Sequence, residues 1–245
     1  MKGEELSYPI RLNVFLARCG VGSRRRCDSY IAEGKVKVNG KTVTEMGVQV
    51  QAGDNVVFEG RPVHPEQTSL YIALNKPPRV LCSNHDPEGL PLAVDQVQHA
   101  FAQRLFTVGR LDFLSSGLVF LTNDGAFAQA IMHPSAGIEK EYVVETKKPI
   151  PEELLQRYTQ GLYIKGERYR ARSYRYRSPR KVSITLVEGK NREIRRVFMY
   201  GRIAIRRLRR IRIGPVQVKG IPQGGYRHLC ADEVRHFLSR SAKGT

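Results

Sequence analysis

The chain has 245 residues, enough for one large domain or for an ordinary domain with a small extra module. It carries 41 Lys and Arg against 23 Asp and Glu, a formal net charge of +18. A hydrophobic fraction of 41% excludes a disordered basic tail, and a folded chain this basic is expected to meet a polyanion, RNA or DNA first. No two of Cys19, Cys27, Cys82 and Cys230 stand at C-x-x-C spacing, and the six histidines form no ligand pair, so neither zinc nor redox chemistry is indicated. The opening MKGEELSYPIR is polar and acidic, unlike a signal peptide, and no apolar run approaches membrane-spanning length. The expected location is the cytoplasm, with reduced thiols.

Residues 9–58 read as a small module. Leu12, Phe15 and Leu16 share one face of a short helix that Gly20 and Gly22 break. Ser23 is placed to cap a second helix, which opens on Arg24, Arg25 and Arg26 and ends at Gly34. In KVKVNGKTV, Val36 and Val38 alternate with Lys35 and Lys37, and Asn39-Gly40 is a two-residue hairpin signal. Another strand, NVVFEG, follows Gly53-Asp54. Three arginines at a helix start oppose the helix dipole, which suggests an external anion such as an RNA phosphate; a solvated charged face is the alternative. The stretch RLNVFLARCGVGSRRRCDSYIAEGKVKVNG resembles the small RNA-binding domain of a small-subunit ribosomal protein and of tyrosyl-tRNA synthetases.

Residues 59–69, EGRPVHPEQTS, read as a linker. Residues 70–240 mix strands and helices without strict alternation. YIALN, GLVFLT, EYVVET, SITLVE and the stretch around Ile211 and Ile213 are expected strands. GAFAQAIMH is an expected helix, capped by Asn123 or Asp124 and stopped by Pro134. Pro151 opens and Gly161 closes the helix EELLQRYTQ, and NREIRRVFMY has Ile194, Val197 and Phe198 on its apolar face. No internal period marks a repeat protein. The expected class is α+β: a small α/β module, then a domain with a mixed, mainly antiparallel sheet.

Residues 165–212 hold 18 Lys and Arg against 3 Asp and Glu. Within them RYRARSYRYR interleaves arginine, suited to phosphate, with tyrosine, suited to stacking on an unpaired base. For each of Tyr169, Tyr174 and Tyr176 taken singly, ordinary strand packing is the favoured reading. Affinity for RNA should fall steeply with salt.

The segment VGRLDFLSSGLVFLTNDG, residues 108–125, is the densest in unusual residues. Gly109 and Gly117 bracket a loop before an apolar strand, and Asp112 lies in it beside Arg110. An acid between Leu111 and Phe113 that is partly buried needs a cationic partner to stay ionised. Spacing alone leaves open whether Asp112 is catalytic or a turn residue.

GRLD followed by SSGLVFLTNDG resembles the signature of the pseudouridine synthases that act on ribosomal RNA. LNKPPRV, KEYVVE with its K-x-Y element, EGKNREIRRVF and LRRIRIGPV resemble further segments of that family, in order. The resemblance implies a pseudouridine synthase catalytic domain over residues 70–240. It also implies Asp112 as the nucleophilic carboxylate, attacking either the uracil ring or ribose C1′. By the same resemblance Arg195 ion-pairs with Asp112, Tyr142 stacks on the target base and Ile213 packs near it. Arg110 fills the space left by the flipped uridine or holds its backbone. Arg24, Arg25, Arg26, Lys35, Lys37, Arg192 and Arg196 are the expected RNA contacts. No cofactor or metal is implied. The implied partner is ribosomal RNA or a ribosomal assembly intermediate, with no membrane and the chain a monomer. MHPS and IPQGGYRHL lean towards the B-type branch, whose enzymes act on large-subunit RNA; a small-subunit enzyme and a non-catalytic assembly factor are the alternatives. Arg79 and Glu193 stand where the family usually has glycine and glutamine, and Asp124 is the rival carboxylate, at an expected helix cap.

Overall fold

The computed structural model describes residues 7–241, with side chains to residue 239. Residues 1–6, part of the stretch read as unlike a signal peptide, lie outside them. The chain divides into two compact units.

The first unit holds the described residues up to Leu70, with Gln98–Leu105. Strand β1 (Ile10–Arg11) leads into helix α1 (Leu12–Arg18), and helix α2 (Arg24–Ala32) follows. The Ser23 hydroxyl accepts the Arg26 backbone N–H, the expected cap. Leu12, Phe15, Leu16, Cys27 and Ile31 of the two helices meet Val36, Val50 and Val56 in one core. Strands β2 (Val36–Val38) and β3 (Lys41–Val43) form a hairpin. Asn39 and Gly40 both have positive φ, 50° and 80°, the geometry a type I′ turn needs. The short β4 (Gln49–Val50) pairs with β1, and β5 (Val56–Phe58) pairs with β2.

Residues 59–69 are not the bare linker read from their composition. Glu59 and Gly60 turn the chain, and β6 (Arg61–Pro62) pairs with β5. Val63 N–H then donates to Val56 O at 3.0 Å and Glu66 N–H to Arg18 O at 2.9 Å. The open edge of β5 offers backbone partners, and a proline is tolerated on the outermost strand.

The second unit is built on a nine-stranded sheet. In chain order come β7 (Tyr71–Lys76), the one-turn helix α3 (Asp95–Gln98), β8 (Phe106–Val108), β9 (Ser116–Thr122), α4 (Gly125–Met132) and β10 (Lys140–Thr146). Helix α5 (Glu152–Gln160) and the hairpin β11 (Leu162–Ile164) with β12 (Glu167–Tyr169) follow. Then come β13 (Ser173–Ser178), β14 (Lys181–Leu186), α6 (Glu193–Tyr200) and β15 (Ile205–Ile213). The short β16 (Val216–Gln217) and β17 (Tyr226–His228) precede α7 (Ala231–Ser241). The sheet runs β13-β14-β10-β15-β9-β7-β17, with β16 on β15 and β8 on β9. Only β15 with β9 is parallel, so the sheet is mixed and mainly antiparallel.

That parallel contact depends on glycine. Gly117 has φ 107°, and a Cβ there would lie 2.1 Å from the Arg210 carbonyl oxygen. Helices α5 and α6 bring Leu155, Tyr158, Val197 and Phe198 against Val144, Val182 and Ile184 of the sheet. Helices α4 and α7 bring Phe127, Val234 and Phe237 against Leu118 and Phe120. The Phe237 ring stands edge-on to Phe120 and Phe127, at 5.6 and 5.8 Å. The sequence reading did not anticipate α7.

One local reading is corrected, and the favoured reading of three tyrosines is met. Helix α6 starts at Glu193, because Arg192 has φ 51°, a left-handed conformation that ends the preceding loop. Tyr169 is buried, with its hydroxyl on Glu167 and Arg196, and Tyr174 and Tyr176 pack edge-to-face beside the α5–β14 core, so strand packing is the role the structure gives all three.

Candidate active site

A cavity of about 910 Å³ opens within the second unit. Asp112, Arg110, Tyr142, Arg195 and Ile213, scattered over a hundred residues of sequence, all line it. Asp112 sits in the loop between β8 and β9. Gly109 turns the chain with φ 71°, and the loop is pinned at three further points. Leu111 N–H reaches Cys82 Sγ at 3.3 Å, Arg79 N–H donates to Phe113 O at 2.6 Å, and Ser115 N–H closes back on Asp112 O at 3.0 Å. Arg79 makes its contact with φ 62°, so a left-handed conformation survives where the family usually has glycine.

Arg195, in the first turn of α6, donates from Nε to Asp112 Oδ2 at 3.0 Å and from Nη2 to Ser115 Oγ at 2.9 Å. The ion pair is partly exposed, with side chains 18% and 31% accessible for Arg195 and Asp112. One oxygen of Asp112 is therefore oriented, and the carboxylate can still meet a ligand. The amphipathic pattern of α6 explains the placement: Ile194, Val197 and Phe198 are buried, which leaves Arg195 at the cavity.

Tyr142 and Ile213 are 9% and 2% accessible and line the cavity from neighbouring strands, in register with Arg210 and Lys140 respectively. Arg110 and Arg192 line the cavity and are exposed. Arg196 does not line it; its Nη1 donates to Tyr169 at 2.9 Å and Glu167 at 3.3 Å. Glu193 lines the cavity, accepts the Tyr158 hydroxyl at 2.9 Å, and burial raises its pKa. Asp124 is absent from the cavity. Its oxygens accept Ala126 and Phe127 N–H at the start of α4 and the Tyr71 hydroxyl at 2.9 Å, the cap role expected of it.

In the first unit Arg24 and Arg25 are exposed at the start of α2, and Lys37 is exposed on β2. Arg26 lies 4.6 Å over the Tyr30 ring. Lys35 is held between Glu33 at 2.9 Å and Glu59 at 3.3 Å, which offsets its charge. It is the weaker candidate for a phosphate.

Ser115, Lys140 and Arg210 are cavity groups to which the sequence assigned no role. Ser115 holds Arg195, and its signal, the LSSG run after Asp112, was visible. Lys140 and Arg210 also line the cavity, but arginine is too frequent in β15 for sequence to single out Arg210. Lys76 is fully buried. Its Nζ donates to Pro77 O at 2.9 Å and Val80 O at 2.8 Å, and burial pushes its pKa down to about 8. It braces the loop after β7. Among the described residues, no group of three or more His, Cys, Asp or Glu could hold a metal ion, and no helix is long and apolar enough to cross a membrane.

Known proteins resemble this chain over most of its length. The family model for RNA pseudouridylate synthase matches residues 70–200, and the S4 domain model matches residues 10–56. A ribosomal large subunit pseudouridine synthase B of Bacillus subtilis is 35% identical over 240 residues, 96% of this chain and 98% of that one. An uncharacterized RNA pseudouridine synthase of Borreliella burgdorferi is 40% identical over 95% of both chains. A dual-specificity RNA pseudouridine synthase of Escherichia coli K12 is 39% identical over 92% of this chain and 77% of that one. A crystal structure of a pseudouridylate synthase superposes with a TM-score of 0.69 at 29% identity, covering 93% of this chain and 99% of that one. The chain belongs to the RNA pseudouridylate synthase family.

Proposed function

We propose that this protein isomerises uridine to pseudouridine in ribosomal RNA, that of the large subunit, with Asp112 as the nucleophile. The observation that carries the reading is convergence: Asp112, Arg195, Tyr142 and Ile213 meet at one cavity, with Arg195 holding a single carboxylate oxygen. Kinship with the Bacillus subtilis large-subunit enzyme supports the choice of RNA.

A base inside a helix cannot be turned round in place. It must be extruded, at a cost of roughly a few kcal/mol. Arg110 and Arg192, exposed at the cavity, are suited to clamp the backbone of the extruded nucleotide. Tyr142 then gives the uracil a stacking surface and Ile213 an apolar contact. The Asp112 oxygen bonds to C6 of the ring or to C1′, the C1′–N1 bond breaks, the uracil turns and C1′ joins C5, and the bond to Asp112 breaks to release the carboxylate. One proton leaves C5 and one arrives at N1, so nothing is oxidised or reduced. Arg24, Arg25 and Lys37 add phosphate contacts from the small module.

The test is incubation of the purified protein with unmodified small- and large-subunit ribosomal RNA, followed by mapping of pseudouridine. One or a few new pseudouridines in the large-subunit RNA are expected. Modification confined to small-subunit RNA would overturn the choice of subunit. Tight binding without any product would favour a non-catalytic assembly role.

A further inference from the structure

Arg210, on β15, is 3% accessible. Its Nε donates to Leu118 O at 2.7 Å and its Nη1 lies 3.4 Å from the Tyr142 hydroxyl. Its Nη2 is buried with no hydrogen-bond partner among the described residues. Lys140, on the neighbouring β10, lines the same cavity and reaches only two backbone carbonyls, Ile138 O at 3.3 Å and Val187 O at 3.5 Å. An ammonium has three N–H groups, so at least one is unassigned. No carboxylate ion-pairs with either cation among the described residues. Burial, and then the charge of Arg210, push the Lys140 pKa down to about 8.

A buried donor without an acceptor, as at Arg210 Nη2, is costly, and the neighbouring charge of the half-buried Lys140 adds to the cost. A ligand bringing an acceptor oxygen with negative charge would relieve both. The surroundings select the kind of oxygen. Tyr142, Leu208 and Ile213 are buried cavity residues that suit a planar base. The exposed Arg110 and Arg192 suit a phosphate better.

We propose that Lys140 donates a hydrogen bond to a carbonyl oxygen of the extruded uracil, with Arg210 adding its charge and spare N–H, so that the pair stabilises negative charge on the ring. This rests on the uridine chemistry proposed above. Attack on the ring forms the carboxylate–C6 bond and pushes the C5–C6 π pair towards O4. Cleavage of C1′–N1 leaves its electron pair on N1, delocalised to O2 and O4. On either route a uracil oxygen gains charge that the ground state lacks, so the donors act on the transition state. The charge returns to carbon when C5 bonds to C1′.

The test is single-turnover conversion of a ribosomal RNA fragment with uridine, 2-thiouridine or 4-thiouridine at the modified position. Sulfur is a poor acceptor, so one of the two thio substitutions should slow the wild type by about tenfold or more. Lys140→Met should lower the uridine rate about 100-fold, leave RNA affinity unchanged and erase most of the thio penalty. Lys140→Arg should recover much of the rate. Unchanged rates on both thio substrates, or equal thio penalties in wild type and Lys140→Met, would overturn the proposal. So would a Lys140→Met variant with a normal rate and a salt slope of RNA binding reduced by about one, the mark of a phosphate contact. Should Lys140→Met fail to fold, the thio comparison on the wild type decides. A wild type that forms pseudouridine in no RNA overturns both this proposal and the functional reading.

Discussion

Arg195→Met separates the orienting role of Arg195 from that of one more phosphate contact. The change removes the 3.0 Å bond to Asp112 and the 2.9 Å bond to Ser115 but keeps an unbranched chain that fills much of the same space. At 3–4 Å and an effective dielectric near 20, the bare attraction between two charges is about 4–6 kcal/mol. Water reaches both side chains, so the net contribution to folding is much smaller, about 1 kcal/mol. The larger loss is geometric. Without Arg195, Asp112 keeps the backbone contacts of its loop but loses the donor that fixes its carboxylate. A misplaced catalytic group costs about 100-fold or more, equivalent to about 3 kcal/mol of barrier. Single-turnover conversion, filter binding over a salt series and thermal melting read the three quantities separately. The expected result is a rate about 100-fold lower, RNA affinity within about twofold and a modest fall in Tm. A near-normal rate with weakened binding and a salt slope reduced by about one would refute the orienting role and make Arg195 a phosphate contact.

Other outcomes follow from the same geometry. Gly117→Ala forces a Cβ against the Arg210 carbonyl at a φ of 107°, and should cost at least about 2–3 kcal/mol in chemical denaturation by prising β9 from β15. Arg24→Ala with Arg25→Ala should weaken RNA binding and flatten its salt dependence, with residual product at the same uridine; product at a new uridine would show that the small module selects the site. Glu233 takes a two-pronged bond from Arg227, at 2.7 Å on each side, and the Cys230 N–H, which lower its pKa. Its contribution is therefore present above the unfolded carboxylate pKa and lost as pH falls through the lower folded value. Glu233→Gln should cost about 1 kcal/mol near neutrality, with the Tm gap to wild type closing below a pH of about 4.

Local signals in the sequence carried a long way. The Ser23 and Asp124 caps, the Asn39-Gly40 turn and the apolar faces of α1 and α6 need only neighbours a few residues away, and each formed as expected. The Asp112–Arg195 pair spans 83 residues; resemblance suggested it, and the packing of α6 produces it. What composition hid was packing between distant segments. Residues 59–69 look polar, yet an open strand edge recruits two of them into β6. Lys140 belongs to the K-x-Y element but carries no assigned role in the sequence, and Arg210 looks like one more cation in a basic chain. Only the cavity, and the absence of any acceptor for Arg210 Nη2 among the described residues, sets them apart.

The most direct test of the central claim compares two carboxylates. Asp112→Asn and Asp124→Asn are assayed for pseudouridine formation in unmodified ribosomal RNA, alongside RNA affinity and Tm. Asp112 lines the cavity with an oriented oxygen, whereas Asp124 is spent on the α4 cap and Tyr71. Asp112→Asn should abolish conversion with Tm and affinity nearly unchanged, and Asp124→Asn should keep converting with stability lowered by no more than about 1 kcal/mol. Conversion by Asp112→Asn, or its loss in a folded, RNA-binding Asp124→Asn protein, would contradict the assignment of Asp112 as the nucleophile.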